Sequence, residues 1–397
     1  MISVYLDSQD YSTLSKNDLP DKLKDIKEIL LNYAASGKVK FYFSSLIVCE
    51  AAPTESAAVK YAVERGDFLR NICGNNALRF HEEIINEEIG NLVDGLSVPI
   101  VATCDSGDWF PVIDFPEPPD LESMVKEVIN EEASNNGMSR QQRRAASRKV
   151  IKKGKMKPEV MKTMRLMNSE SYVSTLMSQF PMMPESADVF RRYCLGDASK
   201  EEAGQEFRRA LKNPHWLMRW FASNEELAKP FVGLVRNPGR KMGEQIRKLS
   251  ILSDDIRGLE EFLEESPIEK KYWKKQVDDT LIIVASNIAK NIRPDWCGDL
   301  DVASIVEKCP GYTSIVYSIF SSVWDNVSGS KKDLPTDSQF PDAMHSVYAP
   351  YVDLFRADKY MAPHIRKQIR TGGAEVVPKI ADLPKAIEQR LRAASPV

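Results

Sequence analysis

The hydrophobic pattern at the start of the chain changes period twice within about forty residues. Residues 2–6 form a short, apolar, β-prone run. Residues 39–43 form a second such run, and between them the apolar side chains recur at helical spacing, at Leu19, Leu23, Ile26, Leu30 and Tyr33. A strand, a helix and a strand joined by short connections favour a parallel sheet in an α/β domain.

The pattern then becomes helical for most of the chain. A short helix carrying Glu50 follows the second strand, and two further helices are expected at 55–72 and 77–94. Five prolines between 97 and 119 mark a boundary, and residues 120–330 are almost wholly helical in pattern. The apolar run 281–284 lies inside a helical pattern at 268–291, so we interpret it as helix and not as a strand.

Strand signals return near the carboxyl terminus, after a polar linker at 327–336. We expect a short helix at 342–351, a strand within 353–357, a helix at 363–370, a strand at 375–377 and a helix at 381–393. The predicted fold class is therefore α/β, with a parallel sheet flanked by helices and interrupted by a mostly α-helical insertion. The predicted parts are 1–115 and 335–397 for the α/β domain and 116–334 for the insertion.

Composition narrows the class of protein without naming a partner. The 397 residues carry 54 Lys and Arg against 57 Asp and Glu, a net charge of −3. No apolar run approaches the roughly 20 residues of a membrane span, and the first residues lack the features of a signal peptide. The six cysteines are scattered, which is typical of free thiols in a reducing cytoplasm, and no glycine-rich phosphate motif implies a nucleotide cofactor.

Four acidic residues occupy positions at or after predicted strands. Asp7 and Asp358 follow the ends of strands, Glu50 lies on the helix after the second strand, and Asp342 begins a late helix. Each has a structural alternative: a helix cap for Asp7 and Asp342, a turn for Asp358 and an exposed helical position for Glu50. An aspartate-nucleophile phosphatase is disfavoured, because Gln9 stands where that class needs a second aspartate.

Together the four acids indicate more than each does alone. If their strands are neighbours in one parallel sheet, the carboxylates meet outside its carboxyl edge. Carboxylates crowded in this way repel one another unless a cation neutralises them. Oxygen ligands favour Mg²⁺ or Mn²⁺, and such an ion can activate water and hold a phosphodiester.

The segments VYLDSQDYS, FYFSSLIVCE and PDAMHSVYAPYVDLFRADKYM resemble the PIN domain, a metal-dependent nuclease fold. The family pattern is an early strand-end Asp, a Glu after the second strand, an Asp opening a late helix and a final strand-end Asp. Asp7, Glu50, Asp342 and Asp358 match this order, so the resemblance implies that they are catalytic and bind the metal. Asp353, just before the last of these strands, is a supporting metal ligand in the same comparison.

The resemblance covers under half of the chain and departs from the family in two places. Glu50 and Asp342 are separated by nearly 300 residues, which requires the helical insertion. Arg356 stands two residues before the final Asp, where the family often has Thr or Ser.

A basic run at 139–157 contains nine Lys and Arg and no acid. A helix would align Arg140, Arg144 and Arg148 on one face, where they could follow the phosphates of a nucleic acid. The predicted nucleic-acid-binding residues are Arg140, Arg143, Arg144, Arg148, Lys149, Lys152 and Lys153. A solvated helix, or pairing with the acidic stretch at 117–136, explains the run equally simply. The aromatic run 215–221 could stack bases but is more typical of a core helix.

The resulting hypothesis is a cytoplasmic, metal-dependent PIN-like endonuclease. Its substrate would be RNA more than DNA, and a bacterial toxin or phage-defence effector is one such role by analogy. The alternative is a catalytically inactive PIN-like protein that uses its helical part for binding or assembly with a protein partner or a second copy of itself.

Overall fold

The structure is a computed structural model. It describes residues 1–53, 58–104, 108–110, 136–152, 155–160, 162, 182–194, 196–224, 270–328, 339–369 and 373–394, with isolated positions between 225 and 269. The chain divides into two compact units. The first joins Met1–Pro111 to Met218–Val397, and the second is Val112–Leu217.

The first unit is built on a four-stranded parallel sheet whose strands come from both ends of the chain. The strands are β1 (Ile2–Tyr5), β2 (Val39–Tyr42), β7 (Leu354–Arg356) and β8 (Glu375–Val377), in the order β2-β1-β7-β8. In register, Tyr5 lies beside Tyr42 on one side and Phe355 on the other. The predicted parallel sheet of an α/β domain, with β1 and β7 as neighbours, is thereby confirmed.

Short helices follow the strands of the first unit on its amino-terminal side. They are α1 (Ser8–Leu14), α2 (Asp21–Ala35), α3 (Ser45–Ala51), α4 (Val59–Cys73) and α5 (His81–Val93). Between α4 and α5 the strand β3 (Ala77–Leu78) pairs antiparallel with β4 (Thr103–Cys104). The core of the sheet is apolar, with Val4, Phe41, Leu354 and Phe355 fully buried.

The second unit contains the basic run. Its described elements are α6 (Arg140–Val150), the antiparallel pair β5 (Ile151–Lys152) and β6 (Lys155–Met156), a 3-10 turn (Pro184–Ser186), α7 (Ala187–Cys194) and α8 (Lys200–Leu211). Helix α9 (Pro214–Ser223) crosses the boundary between the units, and Leu217, Met218 and Phe221 in it are buried. The aromatic run is therefore core, as its spacing favoured.

The first unit continues with α10 (Lys270–Ile292), α11 (Val302–Lys308) and α12 (Pro310–Val327). These helices pack on α5 through an apolar cluster that includes Ile89, Leu281 and Ile305. The single helix α10 contains the run 281–284, which confirms the helical interpretation. The prediction that all of 116–334 forms a separate insertion was wrong, because α10–α12 bury their apolar faces on the unit that holds the sheet.

Glu88 ties α5 to the start of α12. Its carboxylate accepts hydrogen bonds from the backbone amides of Gly311 (2.7 Å) and Tyr312 (2.9 Å) and from the Tyr351 hydroxyl. Only glycine fits at position 311, because a Cβ there would lie 2.9 Å from the Val347 carbonyl oxygen. This contact fixes α12 against the segment that carries one wall of the candidate site.

The carboxyl-terminal elements complete the unit. They are α13 (Gln339–Met344), a 3-10 helix (His345–Tyr351), α14 (Met361–Arg366), a 3-10 turn (Ile380–Asp382) and α15 (Leu383–Ala394). The predicted helix at 342–351 thus begins earlier and is 3-10 in its second half, where Pro350 removes a backbone donor. No described helix is long and apolar enough to cross a membrane.

Candidate active site

Asp7 and Asp358 each lie two residues beyond the end of a strand, and the two strands are neighbours in the sheet. Both also start helices. Asp7 caps α1, accepting from the Gln9 amide at 3.3 Å, and Asp358 accepts from the Met361 amide at 2.5 Å. The capping alternative for Asp7 is therefore correct, and it places the carboxylate at the carboxyl edge of the sheet.

Glu50 lies in the last turn of α3, the helix that follows β2. Its Oε2 stands 3.3 Å from Nε2 of His345, at ion-pair distance but out of alignment for a hydrogen bond. On the other side of the His345 ring, Nδ1 is 2.6 Å from the Tyr5 hydroxyl, which in turn lies 2.7 Å from Ser44 Oγ. Glu50 is only 14% exposed, so the exposed-helix alternative does not hold.

The charge on His345 follows from these neighbours. Burial lowers the pKa of His345, but Glu50, Asp7 and Asp342 together more than offset it, so that its pKa is raised overall. A protonated imidazole donates from both nitrogens. The Tyr5 hydroxyl then accepts from Nδ1 and donates to Ser44, and this relay holds the imidazolium beside Glu50.

Asp342 lies in the first turn of α13 and faces the other acids. Burial raises the pKa of Asp342 well above its usual range, and the charges of Asp7, Glu50 and Asp358 raise it further. Burial likewise raises the pKa of Asp7, against His345 and Arg356. The four acids from distant parts of the sequence therefore share one electrostatic environment.

A buried ion pair forms the remaining wall. Arg356 on β7 donates from Nη2 to Oδ1 of Asp10 at 3.1 Å, and both residues are nearly inaccessible to solvent. Asp10 also accepts from the Asp7 amide through Oδ2 at 3.2 Å. Burial raises the pKa of Asp10 to about 7, while Arg356 acts to lower it.

A small pocket lies between these groups. Its volume is about 10 Å³, and its polar lining consists of Asp7, Asp342, His345, Arg356 and Asp358. Space of this size admits a single water-sized ligand. Among the residues that the structure describes, no three acidic, histidine or cysteine side chains are placed closely enough to hold a metal ion.

The structure does not bring Asp353 to this pocket. It precedes β7, at the opposite end of that strand from Asp358. Its Oδ2 accepts from the Ser3 amide at 2.8 Å and from the Ser3 hydroxyl at 2.7 Å. Asp353 therefore fastens β7 to β1 at the far end of the sheet.

The basic run forms the predicted helix in its first half. Ser139 caps α6, and none of the described residues of this helix is buried. Arg140, Arg144, Arg148, Lys149 and Lys152 are exposed, Arg143 is half-buried, and Lys153 lies outside the described residues. The acidic stretch 117–136 also lies outside them except for its last residue, so the predicted alternative of internal pairing stays a prediction.

Three residues of the site were missed or misjudged from the sequence. His345 follows Asp342 by three residues, a helical spacing that could have placed it on the same face. Asp10 follows Asp7 by three residues, which is the spacing of a capping box. The partnership of Arg356 with Asp10 had no local signal, because nearly 350 residues separate them.

Comparisons with protein-family models, with characterised proteins and with solved structures find no significant match for this chain.

Proposed function

We propose that the chain is a metal-dependent PIN-like endonuclease that hydrolyses phosphodiester bonds, of RNA more than of DNA. One observation carries the proposal: Asp342 is surrounded by Asp7, Glu50 and Asp358, and no cationic side chain of the chain pairs with it among the described residues. An acidic cluster maintained in this way at the carboxyl edge of a parallel sheet is typical of a site that binds a cation.

The residues fit a divalent ion in donor type and in charge. Asp7, Asp342 and Asp358 line one small pocket and supply the hard oxygen ligands that Mg²⁺ and Mn²⁺ prefer. In their present placement they do not yet converge on a single point. Binding would therefore draw these carboxylates together, since the ion removes the repulsion that separates them.

In this proposal the chain's own residues hold and orient. Asp7, Asp342 and Asp358 bind the ion, and Glu50 either joins them or orients a water molecule. His345, fixed by Tyr5, keeps Glu50 ionised so that it can accept a hydrogen bond from that water. When bound, a divalent ion activates water and neutralises charge on the phosphodiester.

The exposed bases of α6 support a nucleic-acid substrate. Arg140, Arg144 and Arg148 have no acidic partner among the described residues, as expected for side chains that contact phosphates. A preference for RNA rests on the PIN resemblance alone.

The test is cleavage of labelled single-stranded RNA and DNA by the full chain with added Mn²⁺. Asp7→Asn and Asp358→Asn should each lower the rate at least about 100-fold, whereas Asp353→Asn, a carboxylate at the far end of the sheet, should leave it unchanged. Activity that survives both of the first two changes would refute the assignment.

The alternative is a PIN-like protein that binds without cleaving. The buried Arg356–Asp10 pair and the incomplete convergence of the carboxylates favour it. Calorimetric titration with Mn²⁺ separates the two, because a binding scaffold would give no heat that depends on Asp7.

A further inference from the structure

Arg356 is a buried cation with unused donors. The side chain is 7% exposed, and its contact with Asp10 engages Nη2. Nε and Nη1 are buried and have no acceptor among the described residues. Because a buried N–H without an acceptor is destabilising, these donors call for an oxygen that the chain does not itself supply.

A purely structural role does not account for this arrangement. Buried arginines that only anchor a fold have their donors satisfied by carboxylates or carbonyls, since a half-satisfied ion pair is worse than an apolar contact. The unpaired side of Arg356 also faces a definite place, because the residue lines the small pocket together with Asp7, Asp342 and Asp358.

The charge of Arg356 limits what else can enter. A guanidinium stays protonated at every accessible pH, so it repels any cation placed against it. Asp10, the acid nearest to it, is already neutralised by the pair. Asp342 lies among acids without such a partner, so the uncompensated negative charge is on its side of the pocket.

We propose that Arg356 is the built-in second cation of the site. The site then takes one divalent ion, on the Asp342 side, and the unpaired donors of Arg356 hold a non-bridging oxygen of the phosphodiester. This inference rests on the proposed function for the ion and the substrate. It assigns to a side chain the charge-stabilising part that a second metal ion plays in two-metal nucleases.

The experiment is a titration of the full chain with Mn²⁺, followed by electron paramagnetic resonance of the free ion. The wild type should bind one ion. Arg356→Gln should bind Mn²⁺ at least tenfold more tightly, because a like charge has been removed, while Arg356→Lys should remain close to the wild type. Lys359→Gln, which removes a charge of the same sign from an exposed neighbour of Asp358, is the matched control and should change the affinity less than twofold.

Cleavage supplies a readout of opposite sign. At saturating Mn²⁺, Arg356→Gln should cleave at least tenfold more slowly although it holds the ion more tightly. Should this variant not fold, the double change Asp10→Asn with Arg356→Gln removes the pair as a unit and should show the same loss of cleavage.

Two results would overturn the inference alone: two ions bound by the wild type, or an Arg356→Gln variant that binds Mn²⁺ no more tightly. A wild type that binds no Mn²⁺ would instead overturn the proposed function, and this inference with it.

Discussion

Glu88 and Asp342 are two carboxyl groups withdrawn from water within the same unit, and the chain treats them in opposite ways. Glu88 is fully buried and receives three hydrogen bonds, from two amides at the start of α12 and from Tyr351. Asp342 receives none from the described residues and faces three other acids. The first arrangement is that of a structural carboxylate, and the second is that of a carboxylate kept for a ligand.

The largest expected difference is in stability. Glu88→Ala leaves three buried donors without an acceptor, so we expect the free energy of unfolding to fall by about 3 kcal/mol at pH 6. Urea unfolding measures it. Glu87→Ala, which breaks a partly exposed pair with Arg79, is the control and should change stability by about 1 kcal/mol or less. Equal losses in the two variants would remove the structural role assigned to Glu88.

The pH dependence of stability should reveal Glu88 next. Burial raises its pKa to about 7, although its three hydrogen bonds act to lower it. A carboxyl with a raised folded pKa stabilises below its unfolded value, about 4.3, and this contribution is lost as the pH rises through about 7. The stability of the wild type relative to Glu88→Gln should therefore fall by about 2 kcal/mol between pH 4 and 8. A difference independent of pH would contradict this.

Asp342 should respond with the opposite sign. In the absence of divalent ions, Asp342→Asn removes one charge from a repulsive cluster and should raise the free energy of unfolding by about 1 kcal/mol at pH 7.5. The same change should abolish the stabilisation that added Mn²⁺ gives the wild type. A variant that is destabilised and still responds to Mn²⁺ would place Asp342 with Glu88 as a structural acid.

Asp353 gives the smallest effect and tests where the site ends. Asp353→Asn keeps an acceptor for Ser3 and should lower stability by only about 0.5 kcal/mol, with Mn²⁺ affinity unchanged. A marked loss of Mn²⁺ affinity would show that the site extends to the far end of β7.

The elements around the site follow from local pattern. The short β-prone runs at 2–6, 39–43 and 375–377 formed strands because neighbouring helices bury both of their faces. Four acids at strand ends or on the next helix could be chosen from the sequence because the carboxyl edge of a parallel sheet is where ligands bind.

Other features depend on contacts between distant residues. Asp353 was included because it adjoins a strand, but adjacency does not tell one end of a three-residue strand from the other. Arg356 found Asp10 only once β7 lay beside β1. The extent of the insertion was misjudged because helical periodicity shows that a face is apolar but not which neighbour covers it.

The most direct test of the central claim is anomalous diffraction at the manganese edge from crystals of the full chain grown with Mn²⁺. The account predicts a peak bounded by the carboxylates of Asp7, Asp342 and Asp358. Saturating Mn²⁺ with no peak there, or with a peak held by other residues, would contradict it.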